Sequence, residues 1–319
     1  MIKALAITGP TASGKTAISL SVAEALGCEI ISLDSMQIYR RMDIGTAKAT
    51  PEERERVPHH MLDLVEPDEL FSQEDYKAGA LAVAREIVAR GKIPLFVGGT
   101  GLYYDSLTRS ELASPPSSEE LTERLMAKAS TDEGREELWQ RLAEVDPESA
   151  EKIHKNNVRR LVRALEIYEL TGRTKTSFDE QTKMGSHLID IGLITLDFHD
   201  RETLYERINE RVDAMLSMGL LSEVKALFDE GLLRAEHTAA QAIGYKELVG
   251  YLSGEGSLED AIEEIKLSSR RYAKRQLAWW RHHPERRIIY VDDESGRVRE
   301  PLKLIGEAVN TAREIYDNL

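Results

Sequence analysis

Short apolar runs alternate with amphipathic stretches along most of the chain. Each run is mostly apolar, as expected for a strand of a parallel sheet that is buried on both faces. Stretches with helical spacing, such as 72–90 and 200–217, separate the runs. Strands that alternate with helices predict an α/β fold with a doubly wound parallel sheet. The predicted strands are 3–8, 29–34, 93–98, 190–198 and 286–292.

A long stretch without a strand pattern interrupts this alternation. It opens with "ASPPSSEE" at 113–120, where prolines and serines mark a boundary and then a helix start. The residues that follow predict several helices, and "KMGSH" at 183–187 is the predicted exit. We therefore predict an inserted all-helical domain over 113–189, within a core formed by 1–112 and 190–319.

The composition excludes several protein classes. The 319 residues are 41% hydrophobic and 31% charged, which is ordinary for a globular protein. No apolar run approaches the ~20 residues of a membrane helix, and the N-terminus is too short for a signal peptide. We therefore expect a cytoplasmic protein without a membrane partner, and a monomer. The one cysteine, Cys28, cannot form an internal disulfide and is expected to be a small buried residue.

The charge is unevenly distributed. A net charge of −14 argues by itself against nucleic-acid binding, because phosphates repel an acidic surface. However, residues 266–287 contain eight lysines or arginines and one acid, and residues 152–163 contain five and no acid. Two basic stretches in an acidic chain indicate a nucleic-acid partner, although a basic run on a helix is also typical of a solvated face.

Both basic stretches fall on predicted helices. Arg159 and Arg163 lie four residues apart and share a helix face. In the longest predicted helix, 257–281, a basic stripe is followed by Trp279 and Trp280. Basic stripes beside aromatic rings suit an RNA backbone and unstacked bases. The alternative for Trp280 is a place in the core of this helix.

A phosphate-binding motif follows the first predicted strand. Residues 9–16, "GPTASGKT", match the pattern G-x-x-x-x-G-K-[ST] between a strand and a helix. Backbone N–H groups of such a loop surround phosphate oxygens, and the helix N-terminus adds partial positive charge. Lys15 can neutralise phosphate charge, and the Thr16 hydroxyl can ligate Mg²⁺. The predicted sheet is therefore of the P-loop NTPase type. The predicted diphosphate- or nucleotide-binding residues are Gly9, Pro10, Thr11, Ala12, Ser13, Gly14, Lys15 and Thr16.

Asp34 ends the second predicted strand, at the edge of the sheet where open α/β folds bind ligands. Three interpretations stay open from its position alone: a cap of the next turn, a Walker-B type metal ligand, or a general base that faces an acceptor. Asp197 ends another predicted strand on the same edge and is a rival carboxylate.

Three further loops are predicted beside these residues. In "VGGTGLYYD", 97–105, three glycines allow backbone to approach a ligand, and Thr100 lies among them; a plain tight turn is the alternative. The segments 42–48 and 57–63 are predicted polar loops. The second contains His59 and His60, for which a structural role is favoured because no third metal ligand is near in sequence.

Taken together, the motifs resemble those of the tRNA dimethylallyltransferases, also called tRNA isopentenyltransferases. The resemblance runs in order from residue 9 to residue 281, and only its first motif is specific by itself. The matching segments are "GPTASGKT", "DSMQIY", "MDIGTAK", "VGGTGLY", "NNVRRLVRALE", "ERINERV", "QAIGYKE" and "YAKRQLAWWR".

The resemblance implies an activity and its participants. A dimethylallyl group would pass from dimethylallyl diphosphate to N6 of the adenosine that adjoins the anticodon on its 3′ side, with Mg²⁺ assisting and diphosphate leaving. The tRNA anticodon stem-loop would be the macromolecular partner. Such sequences are commonly labelled ATP-binding because of the loop, although the chemistry does not require ATP.

The resemblance also implies residue roles. Asp34 would accept the N6 proton, whereas Thr100 and Arg211 would stabilise the charge that grows on diphosphate. Thr122 departs from relatives that carry Arg, which puts a tRNA contact there in doubt. The implied tRNA-binding residues are Asp34, Ser35, Met36, Gln37, Thr100, Arg159, Arg160, Leu161, Val162, Arg163, Gln241, Ala242, Ile243, Gly244, Tyr245, Lys246, Lys274, Arg275, Gln276, Leu277, Ala278, Trp279, Trp280 and Arg281.

Two other functions compete with this one. A small-molecule or nucleotide kinase would use the same loop and sheet with ATP as donor, but it leaves the basic helices unexplained. A non-catalytic RNA-binding module with a relict nucleotide site would not need the complete loop beside Asp34 and Thr100.

Overall fold

A computed structural model describes residues 1–108, 115–184 and 188–319. Within these residues, six parallel strands form one sheet. They are β1 (Ile2–Thr8), β2 (Cys28–Leu33), β3 (His59–His60), β4 (Ile93–Gly98), β5 (Ile189–Asp197) and β6 (Arg287–Tyr290). Their order across the sheet is β3-β2-β4-β1-β5-β6.

The register of the central strands brings three loops together. Thr8 of β1 pairs with Gly98 of β4, which in turn pairs with Leu33 of β2. The residues that follow these strands therefore leave the sheet side by side at its carboxyl edge. Parallel sheets bind ligands at this edge, where neighbouring strands connect in opposite directions.

Helices connect the strands, and several begin at residues that cap them. Ser72 and Ser257 each form a capping box with an aspartate three residues later, which fixes the starts of α3 and α13. In chain order the α-helices are α1 (Lys15–Leu26), α2 (Pro51–Arg56), α3 (Gln73–Ala89), α4 (Gly101–Thr108), α5 (Glu119–Lys128), α6 (Asp132–Val145), α7 (Pro147–Lys152), α8 (Val158–Thr171), α9 (Lys175–Met184), α10 (Arg201–Ser217), α11 (Leu220–Asp229), α12 (Tyr245–Leu252), α13 (Leu258–Trp280) and α14 (Pro301–Asn318). A 3₁₀ turn covers Ala239–Gln241.

The chain divides into two compact units. The first contains Met1–Thr108 and Ile189–Leu319, and the described residues between Arg109 and Leu188 form the second. In the first unit, apolar residues of β1 and β5 pack with those of α1, α10, α13 and α14. A separate cluster joins Ile38, Tyr39 and Met42 to α10–α13. These two clusters hold the sheet edge and the helices that border it.

The second unit is helical throughout its described residues. Leu121 and Leu125 of α5 pack against Leu138 and Leu142 of α6 and against the buried face of α8. The predicted exit at 183–187 falls partly on α9, which continues to Met184, and its last three residues lie outside the described part of the chain. The predicted boundary between 112 and 113 also lies outside it.

One strand was missed by the sequence analysis. The prediction of a polar loop over 57–63 is wrong at His59–His60, because these residues pair with Ile30 and Ile31 of β2. Two residues are too few to give a period, so the pattern carries no signal for this strand. Of the helices described, none is long and apolar enough to cross a bilayer.

Candidate active site

A cavity of 370 Å³ lies at the carboxyl edge of the sheet, in the first unit. The residues that follow β1, β2 and β4 line it: Thr11–Thr16, Asp34–Gln37 and Gly98–Gly99. Further lining comes from 45–47 and 241–244, and from α10 and α13. Asp34 is the one carboxylate among the described lining residues, whereas Lys15, Arg211 and Arg275 bring positive charge.

The 9–16 loop is held in a fixed backbone shape. Gly9 has φ +143° and faces the Leu196 carbonyl oxygen, which a Cβ would approach to 2.7 Å. Ala12 and Gly14 also have positive φ, so the loop turns back on itself before α1 begins. Arg207 Nε donates to the Ala12 carbonyl oxygen at 2.9 Å. The loop is therefore shaped by its neighbours before any ligand arrives.

Lys15 lies over the start of this loop. Its Nζ donates to the carbonyl oxygens of Gly9 and Pro10 at 3.1 and 2.7 Å. The pKa of Lys15 is lowered to about 7, mainly by burial and also by the charge of Arg211, whereas the charge of Asp34 opposes the change. A buried ammonium held by carbonyl dipoles gains most from an anionic ligand, which would supply the missing countercharge.

Asp34 faces the same cavity from the end of β2. One carboxylate oxygen accepts the Met36 N–H at 2.9 Å, so the capping interaction named above is present. Burial raises the pKa of Asp34, whereas the N–H groups of Met36 and Gln37 and the charges of Lys15 and Arg211 lower it. A carboxylate with a raised pKa is a stronger base than an exposed one, which suits proton acceptance.

Asp197, the rival carboxylate, does not line the cavity. It accepts the N–H of Phe198 at 2.8 Å and lies 3.8 Å from the Arg201 guanidinium. These contacts engage it at the start of α10. Of the two strand-end aspartates, only Asp34 is therefore placed to meet a ligand in this cavity.

The 98–101 turn packs closely against its neighbours at each glycine. A Cβ on Gly98 would overlap the Leu33 carbonyl, one on Gly99 the Gln276 amide, and one on Gly101 the Trp279 ring. Thr100 Oγ1 accepts the Ser35 N–H at 3.2 Å, next to Asp34. Thr100 itself is not among the lining residues, but its side chain is hydrogen-bonded to that of Tyr272, which does line the cavity.

Two arginines of α10 have different surroundings. Arg207 is bonded to the 9–16 loop, whereas Arg211, one turn later, lines the cavity beside Ile208 and Val212. Burial lowers the pKa of Arg211, and the charge of Asp34 partly offsets this. Arg211 is thus the one of the pair that can meet a bound anion.

Another part of the cavity wall depends on Glu223. Its carboxylate accepts the N–H groups of Asp43, Ile44 and Gly45 at 3.0, 2.8 and 3.1 Å. It also accepts the Tyr245 hydroxyl at 2.5 Å. Glu223 therefore joins the backbone of 43–45 to Tyr245, the residue that follows the 241–244 lining segment. The sequence analysis missed it because a single glutamate on an amphipathic helix carries no pattern that distinguishes it.

The paired histidines have separate roles. His60 Nε2 bonds Glu29 at 2.7 Å, and Glu29 also pairs with Arg90 at 2.7 Å. His59 bonds the Val57 carbonyl oxygen through Nδ1 at 2.7 Å and lines the cavity. Among the described residues no group of three or more His, Cys, Asp or Glu side chains could hold a metal ion.

The basic stretch of the second unit is partly engaged. Arg163 pairs with the buried Glu166 at 2.6 Å and donates to the Pro115 and Pro116 carbonyl oxygens. The Thr122 hydroxyl also donates to Glu166, at 3.0 Å. Arg159 and Arg160 are exposed, whereas Leu161 and Val162 are buried. Of the implied 159–163 surface, Arg159 and Arg160 are thus the residues presented to solvent.

Helix α13 has an exposed basic face and a buried face. Lys274, Arg275, Ala278 and Arg281 are exposed. Gln276, Leu277 and Trp280 are buried, and Trp280 is only 1% exposed, with its ring edge-on to Tyr104. The structure gives Trp280 the core position that was weighed against stacking on a base. Within 241–246, Gln241 and Lys246 are exposed, whereas Ala242, Gly244 and Tyr245 are buried.

Comparison with known families gives a consistent match. The model of the family described as IPP transferase matches residues 37–283, and that of isopentenyl transferase matches residues 2–65. The tRNA dimethylallyltransferase of Geobacillus thermodenitrificans is 48% identical over 280 residues, which is 88% of each chain. That of Thermoanaerobacter sp. is 45% identical over 295 residues, 92% of this chain and 93% of its own.

Solved structures resemble the chain as well. The tRNA isopentenylpyrophosphate transferase of Bacillus halodurans superposes with a TM-score of 0.73 at 40% identity, covering 100% of this chain and 98% of its own. A eukaryotic dimethylallyltransferase, solved acting on tRNA, gives a TM-score of 0.77 at 32% identity and covers 92% of this chain and 75% of its own. The α/β fold with its parallel sheet is therefore shared with these enzymes.

Proposed function

The chain belongs to the IPP transferase family of tRNA dimethylallyltransferases, and from this we propose how its cavity works. It transfers a prenyl group to tRNA. The donor is dimethylallyl diphosphate, and the acceptor is N6 of the adenosine on the 3′ side of the anticodon. One observation supports this most directly: a lone carboxylate, Asp34, shares a cavity with two half-buried cations, Lys15 and Arg211.

The cationic end of the cavity suits a leaving diphosphate. The 9–16 loop, Lys15 and Arg211 converge there, and the side chains beside Arg211 on α10, Ile208 and Val212, are apolar. A diphosphate bound by Lys15 and Arg211 would leave its prenyl tail next to apolar lining. Buried charges stabilise the growing negative charge more strongly than exposed ones, because water does not screen them.

Asp34 is the proposed general base. N6 attacks C1 of the dimethylallyl group, the C1–O bond breaks, and its electron pair leaves with diphosphate. The aromatic amine becomes strongly acidic as it is alkylated, so its proton passes to Asp34. The raised pKa of Asp34 and its place at the cavity wall support this role.

Thr100 and Mg²⁺ have supporting roles in this proposal. Thr100 holds the Ser35 N–H and so fixes the turn that carries Asp34. The donor set fits Mg²⁺: Thr16 lines the cavity, and the Ser13 hydroxyl is buried without a protein partner. Mg²⁺ takes hydroxyl and phosphate oxygens and keeps several waters. Bound beside Thr16, it would neutralise charge on the diphosphate.

The proposed tRNA contacts are the exposed basic residues. Two of them, Arg159 and Arg160, lie in the second unit; Lys274 and Arg275 lie on α13, and Arg281 directly follows it. None of these five has a carboxylate partner among the described residues. They would contact phosphates, whereas the target adenosine leaves its stack to reach the cavity.

One assay tests the proposal against the kinase alternative. The protein is incubated with labelled dimethylallyl diphosphate, labelled ATP and unmodified tRNA, and the tRNA is digested to nucleosides. We expect the prenyl label on adenosine, no consumption of ATP, and inhibition by diphosphate that is competitive with the donor. Stoichiometric ADP without prenylated adenosine would favour the kinase.

A further inference from the structure

The buried Gln276 makes two contacts that its place in the implied tRNA-binding segment does not explain. Its Oε1 accepts the Thr11 N–H at 2.9 Å, and its Nε2 donates to the Gly99 carbonyl oxygen at 3.2 Å. Thr11 belongs to the 9–16 loop and Gly99 to the 98–101 turn. One carboxamide thus connects the two segments that follow β1 and β4.

A carboxamide suits both contacts, because it carries an acceptor and a donor on separate atoms at the end of one side chain. A backbone N–H can only donate and a carbonyl oxygen can only accept, so the bridge needs one acceptor and one donor at the same end of the side chain. Glutamate would keep the Thr11 contact but would oppose the Gly99 carbonyl oxygen with a second negative oxygen. Lysine would keep the contact with the Gly99 carbonyl oxygen but would oppose the Thr11 N–H with a second donor.

The surroundings show that this bridge is built into the turn. A Cβ on Gly99 would overlap Gln276 Nε2, so residue 99 must be glycine for the amide to lie where it does. Gln276 itself is 6% exposed, on the side of α13 that faces the sheet edge, whereas its neighbours Lys274 and Arg275 are exposed. Although Gln276 lines the cavity, both polar atoms of its carboxamide are engaged by Thr11 and Gly99 rather than presented to a ligand.

We infer that Gln276 is a positioning residue that sets the spacing between the 9–16 loop and the 98–101 turn, and that it does not contact tRNA. This inference rests on the proposed function, in which the loop holds the leaving diphosphate. The turn carries Thr100, which in turn holds the segment of Asp34. The bridge therefore fixes the distance between the leaving group and the base.

The test uses Gln276→Met, which keeps length and loses both hydrogen bonds, and Gly99→Ala, which pushes on the amide from the other side. We expect the single-turnover rate at saturating donor and tRNA to fall about tenfold to a hundredfold, the loss typical of misplaced reacting groups. Inorganic diphosphate should bind more weakly, and tRNA affinity should stay unchanged. Lys274→Ala is the opposite control, because it should weaken tRNA binding and flatten its salt dependence.

The outcomes separate the alternatives. Weaker tRNA binding in Gln276→Met or Gly99→Ala would overturn the inference and make Gln276 a tRNA contact. An unchanged single-turnover rate would also overturn it, because the bridge would then not position the reacting groups. Thermal melts show whether each variant is folded. If Gln276→Met does not fold, Gln276→Glu replaces it, and we expect its single-turnover rate to be lowered as well. If the unmodified protein transfers no prenyl group, the proposed function fails, whereas diphosphate binding by the variants still tests the bridge.

Discussion

The charged groups of the cavity and those of the two basic stretches differ in what surrounds them. Lys15, Asp34 and Arg211 lie in one cavity, and burial shifts the pKa of each of them. Arg159 and Lys274, by contrast, are exposed to solvent. In the cavity each charge depends on its fixed neighbours, so single changes should have large effects. At the surface the charges act nearly independently, so their effects should be small and additive.

The comparison also shows how a count of charges misleads. Within the basic stretches, Arg163 pairs with Glu166, Lys155 with Glu136 and Lys266 with Asp213. A stretch that contains five cations therefore offers a phosphate fewer than five that are free of a carboxylate partner. Only the structure distinguishes the arginines that hold the fold together from those that solvent reaches.

The strongest test of the cavity is Asp34→Ala. We expect turnover to fall by about 10²–10⁴, the usual span for a general base, with tRNA affinity nearly intact. Single-turnover kinetics at saturating tRNA measure this. Asp197→Asn is the matched control, because Asp197 ends a strand on the same edge outside the cavity. A loss below tenfold for Asp34→Ala would place the base elsewhere.

Trp280→Ala should act on stability rather than on binding. The ring is fully buried, so we expect a loss of about 3–5 kcal/mol in the free energy of unfolding, as for other buried aromatic residues. Urea unfolding measures it. If stability is unchanged and tRNA affinity falls instead, the ring stacks on a base and the core assignment is wrong.

Lys15 should make diphosphate binding pH-dependent. With a pKa of about 7, the free side chain is largely neutral at about pH 8, and an anionic ligand raises that pKa. Binding should therefore take up a proton, and affinity should fall as the pH rises above about 7. Calorimetry in buffers of different ionisation enthalpy measures the uptake, and Lys15→Met corrects for the protons of diphosphate itself. Equal uptake by both proteins would contradict the lowered pKa.

The same pKa has a consequence for stability with a definite sign. Between about pH 7 and the ordinary value of 10.5, the unfolded chain holds a proton on Lys15 that the folded chain has lost. The contribution of Lys15 to the free energy of unfolding should therefore rise with pH across this window. The difference between the protein and Lys15→Met in urea unfolding at several pH values isolates it.

The smallest effects are expected at the surface. Arg159→Ala with Arg160→Ala should weaken tRNA binding and lower the slope of its salt dependence by about one unit for each lost phosphate contact. Arg163→Ala should leave that slope unchanged. It should destabilise the second unit, because the buried Glu166 would lose the arginine with which it forms an ion pair. Filter binding over a range of salt concentrations distinguishes them. Equal slopes for the double variant and the unchanged protein would remove 159–160 from the tRNA surface.

Much of the fold could be predicted, because its signals are local. Strand β4 coincides with the predicted run at 93–98, and α13 with the predicted helix at 257–281 to within a residue at each end. Strand β3 could not be found, since two histidines paired to β2 leave no repeating pattern in the sequence.

The candidate site could be predicted from the sequence where the residue pattern of a motif is typical of one kind of chemistry. The 9–16 loop and Asp34 follow from motifs and Arg211 from the family resemblance, and the structure brings them to one cavity. The bridging role of Gln276 depends on partners 177 and 265 residues away in the chain. Glu223 likewise binds the Gly45 N–H from 178 residues away. No local pattern records such contacts.

The sheet ends in short strands on both sides, and this matters for how the folded protein meets other chains. The outer strands are β3, with two residues, and β6, with four. An unpaired strand edge is a template on which another chain can add a strand, and the risk grows with its length and flatness. Long central strands with brief outer ones keep the extended hydrogen-bonding surface inside the sheet. The folded protein thus offers neighbouring chains little edge on which to begin an aggregate.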